Sequence, residues 1–95
     1  MEIKGLNFEL SCCACPEQYD VYDNKGNQVG YVRLRWGELR CDYPDVGGET
    51  IYQKEFGDNL QGSFDTANQR DKYLTIIANK ILQKIPYETG RLNED

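Results

Sequence analysis

The stretch Gln28-Val29-Gly30-Tyr31-Val32-Arg33-Leu34-Arg35-Trp36-Gly37-Glu38-Leu39-Arg40-Cys41-Asp42-Tyr43-Pro44 decides the fold. Val32, Leu34 and Trp36 alternate with Arg33 and Arg35, which is the period of a strand with one buried face. Gly37-Glu38 suits a two-residue turn with glycine at its first central position. Leu39 to Tyr43 then return as a second strand, and Pro44 ends it. This turn predicts the pairs Trp36–Leu39, Arg35–Arg40, Leu34–Cys41, Arg33–Asp42 and Val32–Tyr43. One face then carries Val32, Leu34, Trp36, Leu39, Cys41 and Tyr43. The other carries Arg33, Arg35, Arg40 and Asp42.

Working upstream, Asn24-Lys25-Gly26-Asn27 is a turn signal, because Asn and Gly tolerate positive φ. A strand over 18–23 precedes it. A four-residue loop over Asn24–Asn27 places Tyr19 and Val21 on the face of Val32 and Leu34. A bulge at Gly30 would overturn that register. Leu6, Phe8 and Leu10 alternate with Asn7, Glu9 and Ser11, giving a strand over 6–11. Downstream, 45–49 reads as a loop, 50–56 as a short strand and 57–63 as a loop.

The period then changes. Leu74, Ile77, Ala78, Ile81 and Ile85 have helical spacing, widened by Ile76 and Leu82. Thr66-Ala67-Asn68-Gln69 matches a capping box, so the helix starts near Asp65 or Thr66, and Asp71 suits its positive end. Lys80 and Lys84 suit the other end, and Pro86 stops it. The expected fold is therefore α+β: an antiparallel meander sheet of about four to five strands with one C-terminal helix packed on one face. Residues 1–86 are expected to form one domain and 87–95 a flexible polar tail. Ninety-five residues suffice for a single core without staples.

The net charge is −5, which opposes bulk attraction to nucleic acid or to an anionic membrane. The charge is uneven. Residues 25–41 carry Lys25, Arg33, Arg35 and Arg40 against Glu38 alone, a local +3. Residues 42–71 carry Asp42, Asp45, Glu49, Glu55, Asp58, Asp65 and Asp71 against Lys54 and Arg70, a local −5. Such an acidic stretch could meet a basic partner, although solubilising charge is its commoner role. No apolar run approaches the ~20 residues that span a bilayer, and no basic-then-apolar leader opens the chain. A cytoplasmic location with reduced thiols is expected.

Cys12-Cys13-Ala14-Cys15 contains a C-x-x-C, with Cys41 far downstream. Such spacing can clamp a metal or close a redox disulfide. Zinc wants four ligands, however, and the chain has no His and no second C-x-x-C. Cys12, Cys13, Cys15 and Cys41 are the candidate metal ligands. Packed or incidental thiols are the simpler reading, and no cofactor is expected. A thioredoxin-like role wants the motif to open a helix, and none follows. Gly47-Gly48 lacks the Gly-Lys-Ser/Thr of a phosphate loop. Without His, general-base chemistry near neutral pH would need a shifted carboxylate, Lys or Cys, and no enzyme site stands out.

The outer face of the central hairpin is more suggestive. Arg33, Arg35 and Arg40 lie there, and Tyr31, Val29 and Tyr22 continue it. Arg and Tyr on a rigid sheet bind a partner's carboxylates or stack on bases. The plainer alternative is a solvated face in which Arg33 pairs with Asp42. The opposed Arg35–Arg40 pair argues against it, since like charges across a ladder are unfavourable unless an anion covers them. The expectation is a non-enzymatic binding domain that meets an unidentified protein partner through Tyr22, Tyr31, Arg33, Arg35 and Arg40. A zinc or thiol protein is the alternative and single-stranded nucleic-acid binding the third. The assembly is expected to be a monomer or an edge-paired homodimer.

Overall fold

Six strands and one helix are present in the computed structural model, which describes residues 1–12, 17–57 and 62–85, with only the backbone at Cys12. The strands are β1 (Glu2–Ile3), β2 (Leu6–Cys12), β3 (Glu17–Tyr22), β4 (Gln28–Arg35), β5 (Glu38–Tyr43) and β6 (Glu49–Glu55), and the helix is α1 (Ala67–Lys84). They form one antiparallel sheet in the order β1-β2-β3-β4-β5-β6, a meander in which each strand pairs with its sequence neighbour. The α+β meander with its helix is as expected. The strand count is higher by one because Lys4-Gly5, at φ 55° and 83°, turns Glu2–Ile3 back onto β2. The expected tail, 87–95, lies outside the described residues.

The β4–β5 hairpin closes differently from the expectation. Arg35 pairs with Glu38, Leu34 with Leu39, Arg33 with Arg40, Val32 with Cys41 and Tyr31 with Asp42. The turn is therefore Trp36-Gly37, both at positive φ (56° and 74°), and not Gly37-Glu38. This is the pattern of a type I′ turn, whose twist suits a hairpin as well as a II′ turn does. The two registers put the same strand residues on the same face, so hydrophobic alternation could not separate them. Trp36 pays no part in the core as a result. It sits in the turn, 64% exposed, and the expected Arg33–Asp42 and Arg35–Arg40 pairs become Arg33–Arg40 and Arg35–Glu38.

The β3–β4 register holds over Tyr19–Val32 and Val21–Gly30. A bulge then follows: Tyr22 pairs with Gln28, so Val29 is the extra residue and Gly30 keeps its partner. The bulge turns Val29 into the core at 6% exposure, where the uninterrupted alternation had put it on the outer face.

The core lies between one sheet face and α1. Leu6, Phe8, Tyr19, Val21, Val29, Val32, Leu34, Leu39 and Cys41 meet Leu74, Ile77, Ala78 and Ile81, all buried. Gly30 lets the helix approach closely, since a Cβ there would lie 2.7 Å from Ile81 Cδ1. The helix start is capped as its sequence indicates. The Thr66 hydroxyl accepts from the Gln69 N–H at 3.0 Å, and the Gln69 side chain accepts from the Asp65 N–H at 2.7 Å. Lys84 in the last turn reaches Glu49 at 2.8 Å and ties the helix end to β6. α1 covers one face of the sheet, and among the described elements none covers the other.

Candidate interface on the open sheet face

The open face is built as rows that run across the strands. One row is Gln18, Arg33, Arg40 and Gln53. The next, two residues along each strand and roughly 6.7 Å away, is Glu9, Asp20, Tyr31, Asp42 and Thr50. On the other side lie Arg35, Glu38 and Glu55. The face is thus polarised along the strands. All three arginines lie at the Trp36-Gly37 end, where Glu38 and Glu55 share the row of Arg35, and toward the opposite end the charged residues are the acids Glu9, Asp20 and Asp42.

The acids of the opposite end are largely occupied. Asp42 is 3% exposed. Its carboxylate accepts from the Thr50 hydroxyl at 2.9 Å and the Gly47 N–H at 3.3 Å, and faces Arg40 Nε at 3.5 Å. The Gln28 amide donates to Asp20 and Asp45, each at 3.2 Å. Gly47-Gly48 therefore forms a turn wrapped on the protein's own carboxylate. A Cβ on Gly48 would fall 2.3 Å from the Tyr43 carbonyl oxygen, which accounts for the glycine there without any phosphate.

The arginines are less satisfied. Arg40 has Asp42, but among the described residues neither Arg33 nor Arg35 has a carboxylate partner. Arg35 lies over the Trp36 ring, its guanidinium carbon 5.6 Å from the centroid. Arg33 stands directly opposite Arg40. The structure brings Tyr31, Arg33, Arg35 and Arg40 onto one surface, with Tyr22 at its far end beyond the Asp20 row. Sequence reasoning left out Trp36, which it had assigned to the core. No turn preference signalled it, since Gly37-Glu38 fits a II′ turn while a type I′ turn favours Asn, Asp or Gly where Trp36 stands.

The cysteines are not gathered. Cys41 is fully buried and pairs with Val32, while the backbone of Cys12 pairs with Gln18. β3 and β4 separate their strands, a span of about 14 Å at normal strand spacing. Cys13 and Cys15 lie outside the described residues. Among the described residues no group of three or more Cys, Asp and Glu is placed to hold a metal ion. Burial pushes the Cys41 thiol from near 9 up to about 12, so it is a neutral packing group at physiological pH. Its folded pKa is raised, so its contribution to stability is complete below about pH 9 and declines as pH rises toward 12. Above about pH 9 wild type should therefore lose stability more steeply with rising pH than Cys41→Val. Urea unfolding at pH 8 and pH 10.5 checks this, and equal losses in the two proteins would contradict it.

A cleft of about 170 Å³ lies at the start of α1, lined by Glu17, Phe64, Asp65, Thr66, Ala67 and Arg70. Its polar groups serve the fold. Glu17 accepts from the Tyr19 hydroxyl, and also from the Phe64 N–H at 3.0 Å, and Arg70 meets Asp71 at 3.2 Å. Burial, then that Glu17 contact, raises the Tyr19 phenol above its ordinary value.

Compared with family models, with curated proteins and with solved structures, the chain matches none. Among the described residues no helix is long and apolar enough to cross a membrane.

Proposed function

We propose that this chain is a non-catalytic, cytoplasmic binding module without a cofactor, which takes a protein partner on the open face of its sheet at the arginine end. The observation that carries the reading is the Arg33–Arg40 pair, opposed across the ladder on a chain of net charge −5. Seven acids lie within residues 42–71, yet among the described residues none pairs with Arg33 or Arg35. Opposed like charges destabilise a sheet, and a carboxylate-bearing partner would relieve that cost. Arginine and tyrosine are also the residues that carry binding energy at interfaces.

The working state is a monomer. The edge strand β6 is blunted against self-pairing by a bulge at Ile51 and by exposed Lys54, which stands opposite Leu39 on the core-side register.

The test is capture with wild type and with Arg33→Glu/Arg35→Glu, partners being identified by mass spectrometry. A protein retained by wild type and lost from the folded double variant supports the reading. Equal retention by both would sink it.

A further inference from the structure

Trp36 is the single tryptophan of the chain, and it stands at the tip of the β4–β5 hairpin with 64% of its surface exposed. Its φ of 56° is left-handed, a region that bulky side chains disfavour. Asn-Gly or Gly-Gly would close the same turn without strain and without a solvated indole. The other such turn, at Lys4-Gly5, places a lysine in that position, where the side chain is at home in water. Two local costs, in backbone and in hydration, therefore meet at Trp36. Strain of this kind persists where function uses it.

Its neighbours complete a surface. The Arg35 guanidinium lies over the indole, 5.6 Å from its centroid, and among the described residues it has no ion pair with a carboxylate. The Arg33–Arg40 pair is one row further down the face. Resting on the reading above, we infer that this hairpin tip anchors a short acidic peptide segment of the partner. An apolar or aromatic side chain covers Trp36, and carboxylates one or two residues away meet Arg35 and Arg33.

The size and surroundings of the patch select that occupant over a nucleic-acid strand. The basic ground is short: Glu38 and Glu55 share the row of Arg35, and Glu9, Asp20 and Asp42 occupy the row beyond Arg33 and Arg40. A polyanion that continued along the face would meet those carboxylates, whereas a peptide with two acids need not.

The probe is a displayed library of random peptides panned on the whole protein, with recovered peptides titrated against it while Trp36 emission is followed. Recovered sequences should place Asp or Glu beside an apolar residue. Binding should shift the emission to the blue and reduce quenching by acrylamide. Trp36→Asn should fold with an equal or higher unfolding midpoint, because Asn-Gly suits the turn, yet bind those peptides about tenfold more weakly or worse. Recovery of no peptide that prefers wild type to Trp36→Asn overturns the inference, as does the absence of an acidic bias. If recovered peptides ignore Trp36→Asn but are lost with Arg33→Glu, the anchor falls and the open-face reading stands. If they ignore both variants, both fall. Tighter binding of a single-stranded oligothymidylate, sensitive to the same variants, would assign the tip to nucleic acid instead.

Discussion

Leu34→Ala should lower unfolding stability by about 2–5 kcal/mol, the usual result of deleting a buried leucine side chain. Leu34 is 0% exposed and pairs with Leu39, which is also 0% exposed, in the part of the sheet packed under α1. A chain of 95 residues has about 5–14 kcal/mol in total at the usual rate per residue. The loss is therefore a large fraction of the total. Arg33→Glu and Arg35→Glu flank the same residue and should each stay within about 0.5 kcal/mol of wild type, as surface changes do. Arg33→Glu should gain slightly, because it replaces an Arg–Arg pair by Glu opposite Arg40. Urea titrations of the three variants decide the matter. Comparable destabilisation by all three would mean that the two faces of β4 are not divided as described.

The second large effect is expected at Asp42. Its carboxylate is the one on which the loop between β5 and β6 is folded, through the Thr50 hydroxyl and the Gly47 N–H. Asp42→Ala leaves both donors without that acceptor and removes the ion partner of Arg40. The cost should be about 3 kcal/mol, from hydrogen bonds to a buried charge. It should stay below the upper range for broken buried pairs, because Arg40 is 33% exposed and can rehydrate. Thr50→Val removes one of those contacts and should cost about 1 kcal/mol. Thermal or urea unfolding reads both. A neutral Asp42→Ala would show that the carboxylate belongs to a binding site and not to the loop.

Much of this architecture was legible in the chain. The alternation at Val32-Arg33-Leu34-Arg35 and the spacing of Leu74, Ile77, Ala78 and Ile81 correctly separate strand from helix, because each buries one apolar stripe on the other. The cap at Thr66 was legible for the same local reason. What alternation cannot read is a displacement that preserves it. A slip by two residues keeps Leu34, Leu39 and Cys41 in the core, so the choice between Trp36-Gly37 and Gly37-Glu38 had no hydrophobic consequence for the strands. It did decide the fate of Trp36, which moved from expected core to exposed tip.

Val29 shows the opposite failure. A one-residue bulge breaks the alternation locally and carries a valine inward. Glu2–Ile3 was missed because two residues are too few to show a period. The basic face, by contrast, was visible as a composition bias in residues 25–41. Its boundary was not, since that depends on which acids the register sets in the adjoining row.

The most direct test of the account is an NMR titration of isotope-labelled wild-type protein with the partner recovered by capture. Amide shifts should concentrate at Tyr31, Arg33, Arg35, Trp36 and Arg40, together with the Trp36 indole, and leave α1 largely still. Shifts confined to α1 or to residues 44–49, with the open sheet face silent, would contradict it.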